Sequence, residues 1–166
     1  RQAEGSLAAL REREAFIKSV LDNLPVGIAV NSIDPEIRFD YMNDNFARFY
    51  RTTRERLAEP GAFWEAVYED ADFREAIRDR VLADCASGDP ERMRWEEVPI
   101  VRAGLPTAYV TANNVPLPER GAMISMVWDV TERKAAVEQL RKLSLAIEQS
   151  PASVVITNID NAIEYV

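Results

Sequence analysis

Leu7, Leu10, Ile17, Leu21 and Leu24 recur at three- and four-residue spacing, with Arg11, Glu12, Arg13 and Lys18 off that seam and Glu14 on it. The pattern predicts an amphipathic helix over residues 1–24, closed by Pro25 and suited to a short parallel coiled coil. Residues 27–31 and 37–42 read as two strands joined by the breaker-rich turn Ser32-Ile33-Asp34-Pro35-Glu36. Asn43 or Asp44 can cap a short helix carrying Phe46, Phe49 and Tyr50. Short helical turns follow around 53–57 and 63–67. Phe73, Ile77, Val81 and Cys85 then stand four apart, the stripe of a longer helix that ends at Ser87-Gly88-Asp89-Pro90.

Three strands come next, over about 92–102, 107–117 and 122–130, with breaker-rich connections short enough to make antiparallel neighbours. The last of them, Ala122-Met123-Ile124-Ser125-Met126-Val127-Trp128, is apolar on both faces. An edge strand is expected to carry charge, so this one belongs at the centre of the sheet, with 92–102 towards the outside. A second amphipathic helix begins after Thr131, with Val137, Leu140 and Ile147 on its seam and Ser144 between them.

The chain also repeats itself. Residues 21–34 return as residues 147–160 at a constant offset of 126, without a gap. Once two turn residues are dropped, the following strand 37–42 is echoed by Ile163-Glu164-Tyr165-Val166. So long a period means tandem globular domains rather than a solenoid. The expected organisation is a helix over 1–24, a domain over 25–131, a linker helix over 132–149 and the opening of a second domain over 150–166, in a chain cut from something longer.

Composition narrows the chemistry. An apolar fraction of 47% supports a packed core, and a net charge of −8 with interleaved acids and bases argues against nucleic acid or an anionic membrane as partner. No stretch approaches the roughly 20 apolar residues of a membrane span. The single Cys85 cannot form an internal disulfide, which fits a reducing compartment. The absence of histidine removes imidazole bases, histidine metal sites and histidine-ligated haem.

The element order resembles that of a PAS domain, and particular residues carry the likeness. Tyr41-Met42-Asn43-Asp44-Asn45-Phe46 is similar to the family's Tyr-x-Asn-x-x-Phe at the first short helix. Ser87-Gly88-Asp89-Pro90 resembles the turn after its long helix, and Arg102-Ala103-Gly104 its Asp-Gly hairpin, with Ala103 in place of the acid. Asp129-Val130-Thr131-Glu132-Arg133-Lys134 resembles the exit signature where a PAS sheet passes into its signalling helix. The likeness implies an α+β fold, a five-stranded antiparallel sheet with short helices on one face, flanked by amphipathic signalling helices. It also implies a sensory module in the cytoplasm. The relay would run through Asp129, Thr131, Glu132 and Arg133, the first two also being helix caps. A homodimer would form along Leu7, Leu10, Ile17 and Leu21.

Each candidate site has a plainer alternative. Cys85 lies on the apolar stripe of its helix, where a thiol is ordinarily inert. The flavin photosensors of the family need a cysteine within an Asn-Cys-Arg-Phe-Leu-Gln segment, and residues 51–70 contain none. Trp64, Trp95 and Trp128 first serve packing. Asn113 and Asn114 interrupt a strand where asparagine is unfavourable, and alternation sends one of them towards the helical side, where PAS domains hold a ligand. With Phe46, Trp64, Trp95, Tyr109 and Met126 they form the expected ligand set, for a small molecule whose identity the residues leave open. Glu96 and Glu97 point to opposite faces as strand neighbours, and Asp70 and Asp72 fit a helix start, so neither pair reads as catalytic. The segment is expected to be no enzyme itself. A histidine kinase or a diguanylate cyclase or phosphodiesterase would follow it, and a ligand-free dimerising spacer is the alternative reading.

Overall fold

The computed structural model describes residues 2–33, 35–149, 155–160 and 163–165. Helix α1 spans Gln2–Asn23 and is followed by strands β1 (Gly27–Ser32) and β2 (Arg38–Met42). Four helices come next: α2 (Asp44–Phe49), α3 (Arg54–Ala58), α4 (Phe63–Val67) and α5 (Ala71–Ala86). Strands β3 (Arg94–Ile100), β4 (Ala108–Leu117) and β5 (Ala122–Asp129) complete the sheet, and α6 runs from Thr131 to Glu148. Hydrogen bonding follows the order β2-β1-β5-β4-β3 with every pair antiparallel, so the doubly apolar strand lies mid-sheet. β3 starts two residues later than its composition suggests, because Arg92 and Met93 close turns onto the Asp89 and Pro90 carbonyls.

The chain divides into two units, Arg1–Val130 and Thr131–Val166. In the first, one sheet face carries the core. Val110, Val127, Ile100 and Ala29 are fully buried there, with Phe46 of α2, Leu57 of α3 and Val67 of α4. Gly27 is required at its position. A Cβ there would lie 2.5 Å from Val127 and within 3 Å of the Phe46 backbone, which cannot move aside as a side-chain tip could.

Three polar anchors fasten the helices. Asn43 is fully buried. Its Oδ1 accepts from the Ile28 and Phe46 N–H groups at 2.9 and 3.1 Å. Its Nδ2 donates to the Leu21 and Val26 carbonyls at 2.8 and 2.9 Å. One side chain thus caps α2 and ties the last turn of α1 to β1. Asn45 adds a bond from its Nδ2 to the Leu24 carbonyl at 2.7 Å.

Asp84 of α5 is buried and accepts from the Trp95 indole N–H at 2.9 Å and from Arg92 at 2.9 and 3.2 Å, which clamps α5 to β3. Arg102, also buried, donates to the Tyr50, Arg51 and Ala66 carbonyls and lies 3.7 Å from Glu69. These carbonyls belong to the ends of α2 and α4, where the backbone presents partial negative charge. Arg51 itself adopts φ 52 as the residue that ends α2. Its N–H reaches the Arg48 carbonyl, while that of Thr52 reaches Ala47, the bonding pattern usually built around glycine.

At Glu96-Glu97 the β3–β4 ladder skips from Trp95 to Val98, and Glu97 has φ 51. The simple alternation expected there gives way to a bulge, and both carboxylates are exposed.

In the second unit, β6 (Ile156–Thr157) pairs antiparallel with β7 (Ile163–Tyr165). Ile156 opposes Tyr165 and Thr157 opposes Ile163, with a register shift between them. β1 and β2 behave alike: Val30 opposes Tyr41 and Asn31 opposes Phe39, with the shift between Val30 and Asn31.

Asn43→Ala should lower stability by about 3 kcal/mol, because several buried backbone groups lose their partner together. Amide exchange at Ile28 and Phe46 should rise with it, as measured by hydrogen–deuterium exchange. The Trp95 indole N–H and Arg92 hold the Asp84 carboxyl below its usual value. As pH falls the unfolded chain therefore takes up the proton first, and the stability Asp84 contributes, intact at neutral pH, drains away below about pH 4. Urea unfolding across that range should show a steeper acid loss for the wild type than for Asp84→Asn.

Candidate functional site

Between the core face of the sheet and helices α2, α4 and α5 lies a cavity of about 50 Å³. Its sheet wall carries Asn31 of β1, Trp95 and Val98 of β3, Val110, Ala112 and Asn114 of β4, and Ser125 of β5. Its helical wall is aromatic. Tyr50 lies edge-on to Phe46 and to Phe63, both with ring centroids 5.2 Å away, and Tyr68 stacks on Trp64 at 6.3 Å. Leu82 is exposed and Ile33, Trp64 and Val81 are half-buried, so the lining reaches solvent between the β1–β2 turn and α5.

The polar atoms sit on the central strands. Ser125 Oγ donates to Asn31 Oδ1 at 2.7 Å, joining β5 to β1 across the cavity wall. Asn114 Nδ2 reaches Cys85 Sγ at 3.7 Å. Burial raises the pKa of both Tyr50 and Tyr68, with Tyr68 adding to the rise at Tyr50, so both phenols stay protonated. Burial likewise pushes the Cys85 thiol up, away from the reactive thiolate.

Of the expected ligand set, Phe46, Trp64, Trp95 and Asn114 line the cavity. Asn113, Tyr109 and Met126 do not. Burial alternates along β4 from Ala108 to Val115, with Ala108, Val110, Ala112 and Asn114 turned to the core, which leaves Tyr109 and Asn113 on the other face. Met126 pairs with Asn113 and shares that face, whereas Ser125 pairs with Asn114. Asn31, Ser125, Tyr50 and Tyr68 are lining residues that sequence reasoning missed. A polar residue inside each apolar central strand was the available signal for the first two.

Asp129 ends β5 and is exposed. Thr131 opens α6, and Glu132 and Arg133 follow in a helix unbroken to Glu148. Leu7, Leu10 and Ile17 are exposed along α1, and Leu21 is half-buried beside the Asn43 anchor. Among the described residues no helix is long and apolar enough to cross a membrane, and no group of three acidic, cysteine or histidine side chains could hold a metal ion.

The chain has relatives in sequence and in shape. Residues 15–90 match the family model described as a PAS domain. None of the curated proteins searched matches the chain. An RNA-binding light-oxygen-voltage receptor is similar in structure, with a TM-score of 0.51 and 23% identity over 80% of this chain. The match spans 37% of that receptor. The PAS domain of Bordetella pertussis BvgS aligns with 81% of this chain and 98% of its own length, at 18% identity and a TM-score of 0.47. The family match to residues 15–90, the five-stranded antiparallel order and the short helices over one sheet face agree on a PAS domain within this chain.

Proposed function

We propose that the chain is a sensory and dimerising module that detects a small ligand or partner at the cavity and relays it through α1 and α6. The observation that carries this reading is the Ser125–Asn31 hydrogen bond. It joins the two strands that lead out of the domain: β1 follows α1, and β5 is followed after one residue by α6. A ligand that alters this pair acts on both exits, and it shifts the helices only as far as it binds one arrangement more tightly than the other. Asn43 supplies the stiffness on the α1 side.

The exposed Leu7, Leu10 and Ile17 stripe supports pairing of α1 with its copy in a homodimer. The 126-residue sequence repeat, with the shared register and register shift of β1–β2 and β6–β7, supports residues 150–166 as the opening of a second PAS domain. The setting we propose is a cytoplasmic bacterial signalling protein whose output is a histidine kinase or a cyclic-di-GMP enzyme. A ligand-free spacer is the second reading, favoured by the size of the cavity. About 50 Å³ is well below the roughly 300–1,000 Å³ of sites for drug-sized ligands.

Light scattering on the protein with and without residues 1–24 tests the relay. A dimer that becomes a monomer on truncation is expected, and a monomer in both forms refutes pairing through α1.

A further inference from the structure

The helical wall of the cavity holds two polar atoms that the protein itself does not use. Tyr50 is 5% exposed and Tyr68 6%, both line the cavity, and among the described residues neither hydroxyl has a hydrogen-bond partner. The ring contacts of both residues with Phe46, Phe63, Trp64 and Phe73 are ones phenylalanine would make equally well. The hydroxyl is therefore the part without a packing role, and it meets open, water-sized space rather than protein, since Thr52 Oγ1 is the one fully enclosed unpartnered side-chain polar atom among the described residues. On the facing wall the Asn114 side-chain amide has, among the described residues, only its weak contact with Cys85.

Among the described residues no lysine, arginine, aspartate or glutamate lines the cavity. A charged guest would sit there without a counter-ion, so the chemistry selects an uncharged one. Two protonated phenols lining one cavity offer two O–H donors, which suit an acceptor oxygen with two lone pairs. At about 10–15 Å³ per water-sized position, 50 Å³ holds roughly three to five such positions.

We propose that the cavity takes a small uncharged carbonyl compound whose oxygen accepts hydrogen bonds from Tyr50 and Tyr68 while its apolar body rests on Val110 and Ala112. The proposal rests on the sensory reading of the cavity and adds the class of ligand. Burial raises the pKa of both phenols, which keeps them in their donating form at neutral pH.

The test uses three probes, acetone, acetate and xenon, each titrated into the whole chain while amide signals of Val110, Ala112 and Ser125 are followed by NMR. Acetone should shift these signals saturably and acetate should not. Tyr50→Phe and Tyr68→Phe should each weaken acetone roughly fivefold, the loss of one ordinary hydrogen bond, and leave xenon binding unchanged. Without ligand both variants should melt at or close to the wild-type temperature, since neither hydroxyl bonds another group among the described residues. A lower melting temperature would show the hydroxyls to be structural and overturn the proposal. Xenon entry with acetone affinity equal in wild type and variants, or with acetate as good as acetone, overturns the carbonyl assignment but keeps the cavity as a site. If none of the probes shifts a lining residue, the sensory reading of the cavity fails as well.

Discussion

The amide of Asn43 makes four hydrogen bonds, and their partners come from four separate stretches of chain: the end of α1, the segment before β1, β1 itself and the start of α2. A buried amide is costly unless its donors and acceptor are all engaged, so this arrangement tolerates little displacement of any one stretch. The helix that leaves the domain at its N-terminal side is therefore joined to the sheet by directional bonds rather than by apolar contact alone. Apolar contact lets helices slide; an amide bonded on both its nitrogen and its oxygen does not.

Two buried charges are handled in contrasting ways. Asp84 meets donors from two side chains, Trp95 and Arg92, and so carries a formal counter-charge close by. Arg102 meets mostly backbone carbonyls, with Glu69 at the longer distance of 3.7 Å, and relies on the negative ends of short helices. Together they hold α5 to β3 and the ends of α2 and α4 to the segment after β3. The apolar cavity keeps its shape between helices fixed from outside it.

Much of the sheet was legible from residue pattern. The doubly apolar strand 122–129 announced its central place, and the five strands and five of the six helices follow breakers and caps visible in the chain. The cavity was half legible. A strand puts either Asn113 or Asn114 on the core face, but its sequence does not say which, because one residue of register exchanges the faces. Tyr109 and Met126 were lost to the same ambiguity. Tyr50 and Tyr68 look like ordinary core aromatics until their hydroxyls are located. Arg102 sits in what reads as a turn, and the left-handed Arg51 lacks the glycine that would have marked it. The bulge at Glu96-Glu97 has no glycine either, so nothing local warned that alternation would fail there.

The contact at Gly27 bears on how the domain could respond to a guest. Backbone touches backbone where β1 passes the start of α2, and the Asn43 bonds hold that contact closed. This corner behaves as an anvil. Room to yield is found instead at the rim of the lining, where Trp64, Val81 and Leu82 already reach solvent. Variation in what different descendants of this sequence admit should therefore accumulate at that rim, while the Gly27–Phe46 corner stays the same.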